Sequence, residues 1–95
     1  MRLLENEIKA IKKTFYHIFQ DGDIYLFGSR VDDNIKGGDI DLFVAPVNRQ
    51  NLLEKKIDFL VELKQKIGDQ KIDLVISKDK TRVIEQEAYN KGIKL

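Results

Sequence analysis

Residues 39–44 read Asp-Ile-Asp-Leu-Phe-Val, and the alternation in that stretch decides the fold. Successive side chains on a strand point to opposite faces, so Ile40, Leu42 and Val44 share one side. Asp39, Asp41 and Phe43 take the other. Two further stretches sort the same way. In 23–27, Ile24 and Leu26 oppose Tyr25 and Phe27, and in 71–76 Ile72, Leu74 and Ile76 oppose Asp73 and Val75. Three strands are therefore predicted, with one wholly apolar face for helices to cover. All three strand carboxylates, Asp39, Asp41 and Asp73, fall on the second face.

The covering helices lie on either side of this pattern. From Arg2 to Phe19, Leu4, Ile8, Ile11, Phe15, Ile18 and Phe19 recur three or four apart, an amphipathic stripe that stops at Asp21-Gly22. After Pro46, Asn51 and Glu54 have the spacing of a helix-capping pair. Leu53, Ile57, Leu60, Leu63 and Ile67 then form a second stripe closed by Gly68. A last helix is expected from about Asp79 to Lys91, stopped by Gly92, with Ile93 and Leu95 packing back. The order is α-β-β-α-β-α, an α+β domain with helices on a small mixed sheet. Asp39–Val44 should pair antiparallel with Asp23–Phe27, its neighbour in sequence.

Length and composition bound the function. The 95 residues suit a single domain, 1–95, with 42% hydrophobic and 35% charged residues. Seventeen Lys and Arg against sixteen Asp and Glu leave a charge of +1, which argues against gripping nucleic acid by bulk charge. The absence of cysteine excludes disulfides, thiolate metal sites and cysteine nucleophiles. One histidine, His17, excludes a two-histidine site, and its place beside the first stripe fits a structural role. No apolar run approaches the ~20 residues of a membrane span and no signal-peptide pattern opens the chain, so the expected address is the cytoplasm. A domain this small works on one face, with a second protein completing the pocket.

The acid face needs a reason. Like charges on neighbouring strand positions repel, and aspartate is a poor strand former. A divalent cation supplies one, because hard oxygen ligands suit Mg²⁺ or Mn²⁺. On parity alone, a solvated face that keeps the sheet soluble explains the acids equally well. The loop 28–38 shifts the balance. Strand one ends in Gly28-Ser29-Arg30 at the edge of the acid face: a turn open to the main chain, a hydroxyl and N–H for a phosphate oxygen, and a forked cation for the same group. Nine residues separate Ser29 from Asp39. Arg30 could instead be solvated, Lys36 reads as a surface lysine, and Asp32 and Asp33 as solvated. Tyr25, Phe27 and Phe43 share the acid face, either flooring a site or packing against a partner.

The stretch Leu26-Phe27-Gly28-Ser29-Arg30 … Gly38-Asp39-Ile40-Asp41-Leu42 resembles the signature of the DNA polymerase beta-like nucleotidyltransferases. At this length it is most similar to the minimal nucleotidyltransferases, the antitoxin-type partners of HEPN-domain proteins. The likeness extends to Lys71-Ile72-Asp73-Leu74-Val75 and to Ala88–Ile93, with the loop one residue shorter than is usual. The resemblance implies that Gly28, Ser29 and Arg30 hold the triphosphate, and that Asp39, Asp41 and Asp73 ligate two Mg²⁺ ions. Asp73 would also help take the acceptor's proton. The implied reaction is transfer of AMP from ATP to a tyrosine hydroxyl of a HEPN-domain toxin, which the chain would thereby neutralise as its antitoxin. Two alternatives stand beside it: a module that neutralises its partner by binding alone, and transfer to a small molecule or RNA. A homodimer and a hetero-oligomer with the partner both fit.

Overall fold

A computed structural model describes residues 3–27, 39–78 and 90–95. The elements run α1 (Glu5–Phe19), β1 (Gly22–Phe27), β2 (Ile40–Pro46), α2 (Leu52–Ile67), β3 (Ile72–Ile76) and β4 (Ile93–Lys94). The sheet order is β3-β2-β1-β4. β1 pairs antiparallel with β2 as expected, with Leu26 opposite Leu42 and Phe27 opposite Asp41. β2 and β3 run parallel, with Asp41 opposite Asp73. The parallel step requires a crossover, and α2 is that crossover. The fold is α+β with a mixed sheet.

The predicted apolar face is the core. Ile24, Leu26, Ile40, Leu42, Val44, Ile72 and Leu74 are buried there against Ile11, Phe15 and Phe19 of α1 and Phe59 and Leu63 of α2. Fully burying each aliphatic or aromatic side chain contributes ~1.5–3 kcal/mol. Phe15 and Phe19 stack at 5.5 Å, and Phe19 meets Phe59 at 5.9 Å, so the aromatics weld the two helices over the sheet. Polar ties complete the helix pair. His17 Nδ1 lies 2.8 Å from Glu62 Oε1, and Lys66 Nζ donates to Thr14 Oγ1 at 3.1 Å. Glu7, buried at the start of α1, accepts the Leu4 N–H at 3.0 Å and the Gln70 amide at 2.7 Å. That contact anchors the α2–β3 connection on α1.

Four expectations are corrected. α2 is rotated about its axis relative to the expected stripe: Leu53 and Ile57 are 73% and 54% exposed, while Phe59 joins Leu63 in the core. Leu4, at the end of the first stripe, is exposed. Asn51 occupies the N-cap position in the left-handed region, φ 54°, with no side-chain cap hydrogen bond, so the expected capping pair with Glu54 does not form. The sheet has a fourth strand: Ile93 and Lys94 pair antiparallel with Leu26 and Tyr25 instead of merely packing back. Of the expected last helix only 90–91 lie within the described residues and are helical. No helix among the described residues is long and apolar enough to cross a membrane.

Candidate active site

β2 and β3 bring the acids together because their register is in phase. Ile40 pairs with Ile72 and Leu42 with Leu74, so core positions match core positions and Asp41 must face Asp73 on the other side. The same register sets residue 71 opposite residue 39. Lys71 Nζ sits 3.3 Å from Asp39 Oδ2. The face is thus laid out in rows: Lys71 beside Asp39, then Asp73 beside Asp41 with Phe27 across β1, then Val75, Phe43 and Tyr25. Phe43 is fully buried and its ring lies 6.2 Å from that of Tyr25, so these aromatics form a packed floor next to the acids.

Asp41 is the electrostatic centre. Its partial burial, followed by the charges of Asp73 and Asp39, pushes its carboxyl above the usual carboxylate range. A hydrogen bond with Asp73 acts in the same direction, and Lys71 opposes it. Two carboxyls hydrogen-bond to each other only with a proton between them, a place that a cation can take instead. Lys71 is raised in turn, first by its hydrogen bond to Asp39 and then by the charges of Asp39 and Asp73. An open groove of about 500 Å³ adjoins the pair, lined by Phe27, Asp41, Asp73 and Val75 together with Lys56 and Leu60 of α2.

The structure therefore joins two of the predicted ligands, Asp41 and Asp73, and turns the third, Asp39, toward Lys71. Among the described residues, no three His, Cys, Asp or Glu side chains are grouped as a metal centre. The donor chemistry nonetheless fits Mg²⁺: all three are hard carboxylate oxygens, two already share a site, and Asp39 is one pleat away, about 6.5–7 Å along the strand. Gly28, Ser29, Arg30, Asp32, Asp33 and Lys36 lie outside the described residues. His17 belongs to the helix interface, far in the fold from the acid face. The sequence reading missed Lys71, although its odd number places it in phase with Asp73 and Val75 and could have revealed it.

The family model for polymerase beta nucleotidyltransferases matches residues 6–95. The chain belongs to that family. The mixed sheet and the crossover helix, with the acid pair near the starts of β2 and β3, are the polymerase beta nucleotidyltransferase fold as this sequence builds it. No curated protein and no solved structure matches the chain.

Proposed function

We propose that this nucleotidyltransferase moves AMP from ATP to a tyrosine hydroxyl of a HEPN-domain partner in the cytoplasm, in a Mg²⁺-dependent reaction that makes it the partner's antitoxin. The observation that supports this reading best is the Asp41–Asp73 pair, two carboxyls set side by side by the register of parallel strands, where each raises the cost of the other's charge. Asp39, Asp41 and Asp73 would hold the metal, which when bound supplies charge neutralisation at the phosphoryl group and the acceptor oxygen.

The chain's own residues would do the rest. Gly28, Ser29 and Arg30 bind the triphosphate. Phe27, opposite Asp41, lines the groove of the Asp41–Asp73 pair and would flank the bound nucleotide. The acceptor oxygen attacks the α-phosphorus, its new bond to phosphorus forms as the bond to pyrophosphate breaks, and the hydroxyl proton passes to a carboxylate oxygen of Asp73. Positioning and charge carry most of the acceleration, and no covalent intermediate on the protein is needed.

Incubation with labelled ATP, Mg²⁺ and the purified all-helical protein of the adjacent gene tests the proposal. Label on a partner tyrosine is expected, with loss of at least 10²-fold in rate for Asp39→Asn/Asp41→Asn, about 2.7 kcal/mol of barrier. A folded enzyme and an intact partner that exchange no label would overturn it.

A further inference from the structure

The outer side of α2 carries an apolar row that the domain itself does not use. Leu53, Ile57 and Val61 are four residues apart, so they line up along the helix. They are 73%, 54% and 54% exposed, while Phe59 and Leu63 make the contact with the core. A row of large apolar side chains left in water marks a surface that another protein covers.

Charge flanks the row on both sides, and the two sides differ in sign. Glu54 and Asp58 lie exposed along one edge, and half-buried Lys56 and Lys64 lie along the other. Glu54 and Asp58 are an i, i+4 pair of like charges, which weakens a helix unless a cation meets them. None of these four side chains is in an ion pair among the described residues; the ion pairs of α2 run from Glu62 to His17 and Lys66. An open groove of about 320 Å³ lies on the acidic side, where Ile18 and Val61 adjoin Asp58 and Glu62. Its walls suit the stem of a lysine, with a carboxylate for the ammonium.

We propose that a second copy of this chain covers the row, with the two α2 helices side by side and parallel about a two-fold axis. The charges select both the occupant and its direction. A two-fold along the helices sets the acidic edge of each copy against the basic edge of the other, with Lys56 between Glu54 and Asp58 of the second copy. An antiparallel pair would set acid against acid and lysine against lysine. In the parallel pair the apolar side chains meet their own counterparts along the row, eight residues or ~12 Å of helix. One helix pair buries an area at or below the ~1,200 Å² where standard interfaces begin, so the dimer is reversible and concentration-dependent. The acidic edge turns away polyanions such as nucleic acid. Lys56 also lines the groove of Asp41 and Asp73, so assembly and the candidate active site share a side chain. The dimer needs neither nucleotide nor metal and stands apart from the nucleotidyl-transfer reading.

Sedimentation equilibrium of the full chain, from micromolar to millimolar concentration at low salt, tests the proposal. A monomer–dimer equilibrium is expected. Ile57→Ser/Val61→Ser, Glu54→Lys/Asp58→Lys and Lys56→Glu/Lys64→Glu should each weaken it about tenfold or more, with circular dichroism showing every variant folded. Mixing the two charge variants one to one should restore association. Charge variants that associate as strongly as the parent would refute the parallel pairing. Because the chain has no cysteine, single cysteines report the direction. Val61→Cys should cross-link to itself through a short bismaleimide. A mixture of Leu53→Cys and Val61→Cys that links only between the two variants would overturn the parallel arrangement. A monomer at every concentration would overturn the dimer, and so would occupation of this face only by the helical protein of the adjacent gene. Label transfer is read separately, so a failed dimer leaves the catalytic reading standing and a failed transfer leaves the dimer.

Discussion

Asp41 couples the site to stability, and the sign can be worked out. Its carboxyl titrates higher in the fold than in the unfolded chain, through burial and the charges of Asp73 and Asp39. Between those two values the folded state binds more protons, so the stability linked to Asp41 is fully present below the unfolded value and is lost as pH rises through the folded one. In a chelator-treated sample, Tm should fall across that window and then level. Asp41→Asn should remove the step and raise Tm at neutral pH, because the amide keeps a hydrogen bond to Asp73 without the charge. A flat Tm in the parent, or an Asn variant less stable than it, would contradict this account. Glu62 has the opposite sign. Burial alone would raise it, but its hydrogen bonds with His17 and Lys66 outweigh that and hold it low. Its contribution is present above the ordinary glutamate value and lost as pH falls, a step that Glu62→Gln should erase. The acids of the site were legible in the sequence because strand parity is strict. Their pairing was not, since parity assigns a face but only register decides that Asp73 meets Asp41 while Asp39 meets Lys71.

Elements show where pattern reading succeeds and where it slips. The β-strands came through because a period of two has only two phases, and the apolar phase identifies itself. α2 was harder. Leu52, Leu53, Ile57, Phe59, Leu60, Val61, Leu63 and Ile67 surround much of the helix, so several stripes of three and four can be drawn through it. Packing against α1 and the sheet selects Phe59 and Leu63 and leaves Leu53, Ile57 and Val61 outside. Thermal denaturation of alanine variants checks this rotation: Phe59→Ala should cost ~3–5 kcal/mol, whereas Ile57→Ala should stay within ~0.5 kcal/mol. β4 escaped notice because two residues carry no period. Its partner β1 begins at a position that only glycine fits. Gly22 has φ 128°, and a Cβ there would lie 2.3 Å from the Ala45 carbonyl oxygen. Gly68 has φ 93° with open space around it. Gly22→Ala should therefore destabilise by more than the ~1–3 kcal/mol of backbone strain alone, and Gly68→Ala by no more than that strain. Equal losses at the two sites would refute the close approach of β1 and β2.

For the molecule as a whole, the sheet is the device that stores like charge on one face while hydrophobic burial on the other holds the strands together. Asp39, Asp41 and Asp73 repel across two strands that the core fixes in place, so the fold bears a cost that a cation can relieve. By linkage, a ligand that binds only the folded state stabilises it by RT ln(1 + [L]/Kd), about 2.7 kcal/mol at a hundredfold excess over Kd. In a domain of 95 residues that raises Tm by on the order of 10 °C. Titration with Mg²⁺ at constant ionic strength should show this rise, and Asp41→Asn/Asp73→Asn should abolish it. Lys71 sharpens the test. Its ammonium neutralises Asp39 in the metal-free fold, so Lys71→Gln should lower Tm in chelator yet steepen the response to Mg²⁺. An ordinary screening effect would move all three proteins alike and would be matched by K⁺. Only a bound ion competing with Lys71 for Asp39 separates the lysine variant from the parent in opposite directions at the two ends of the titration.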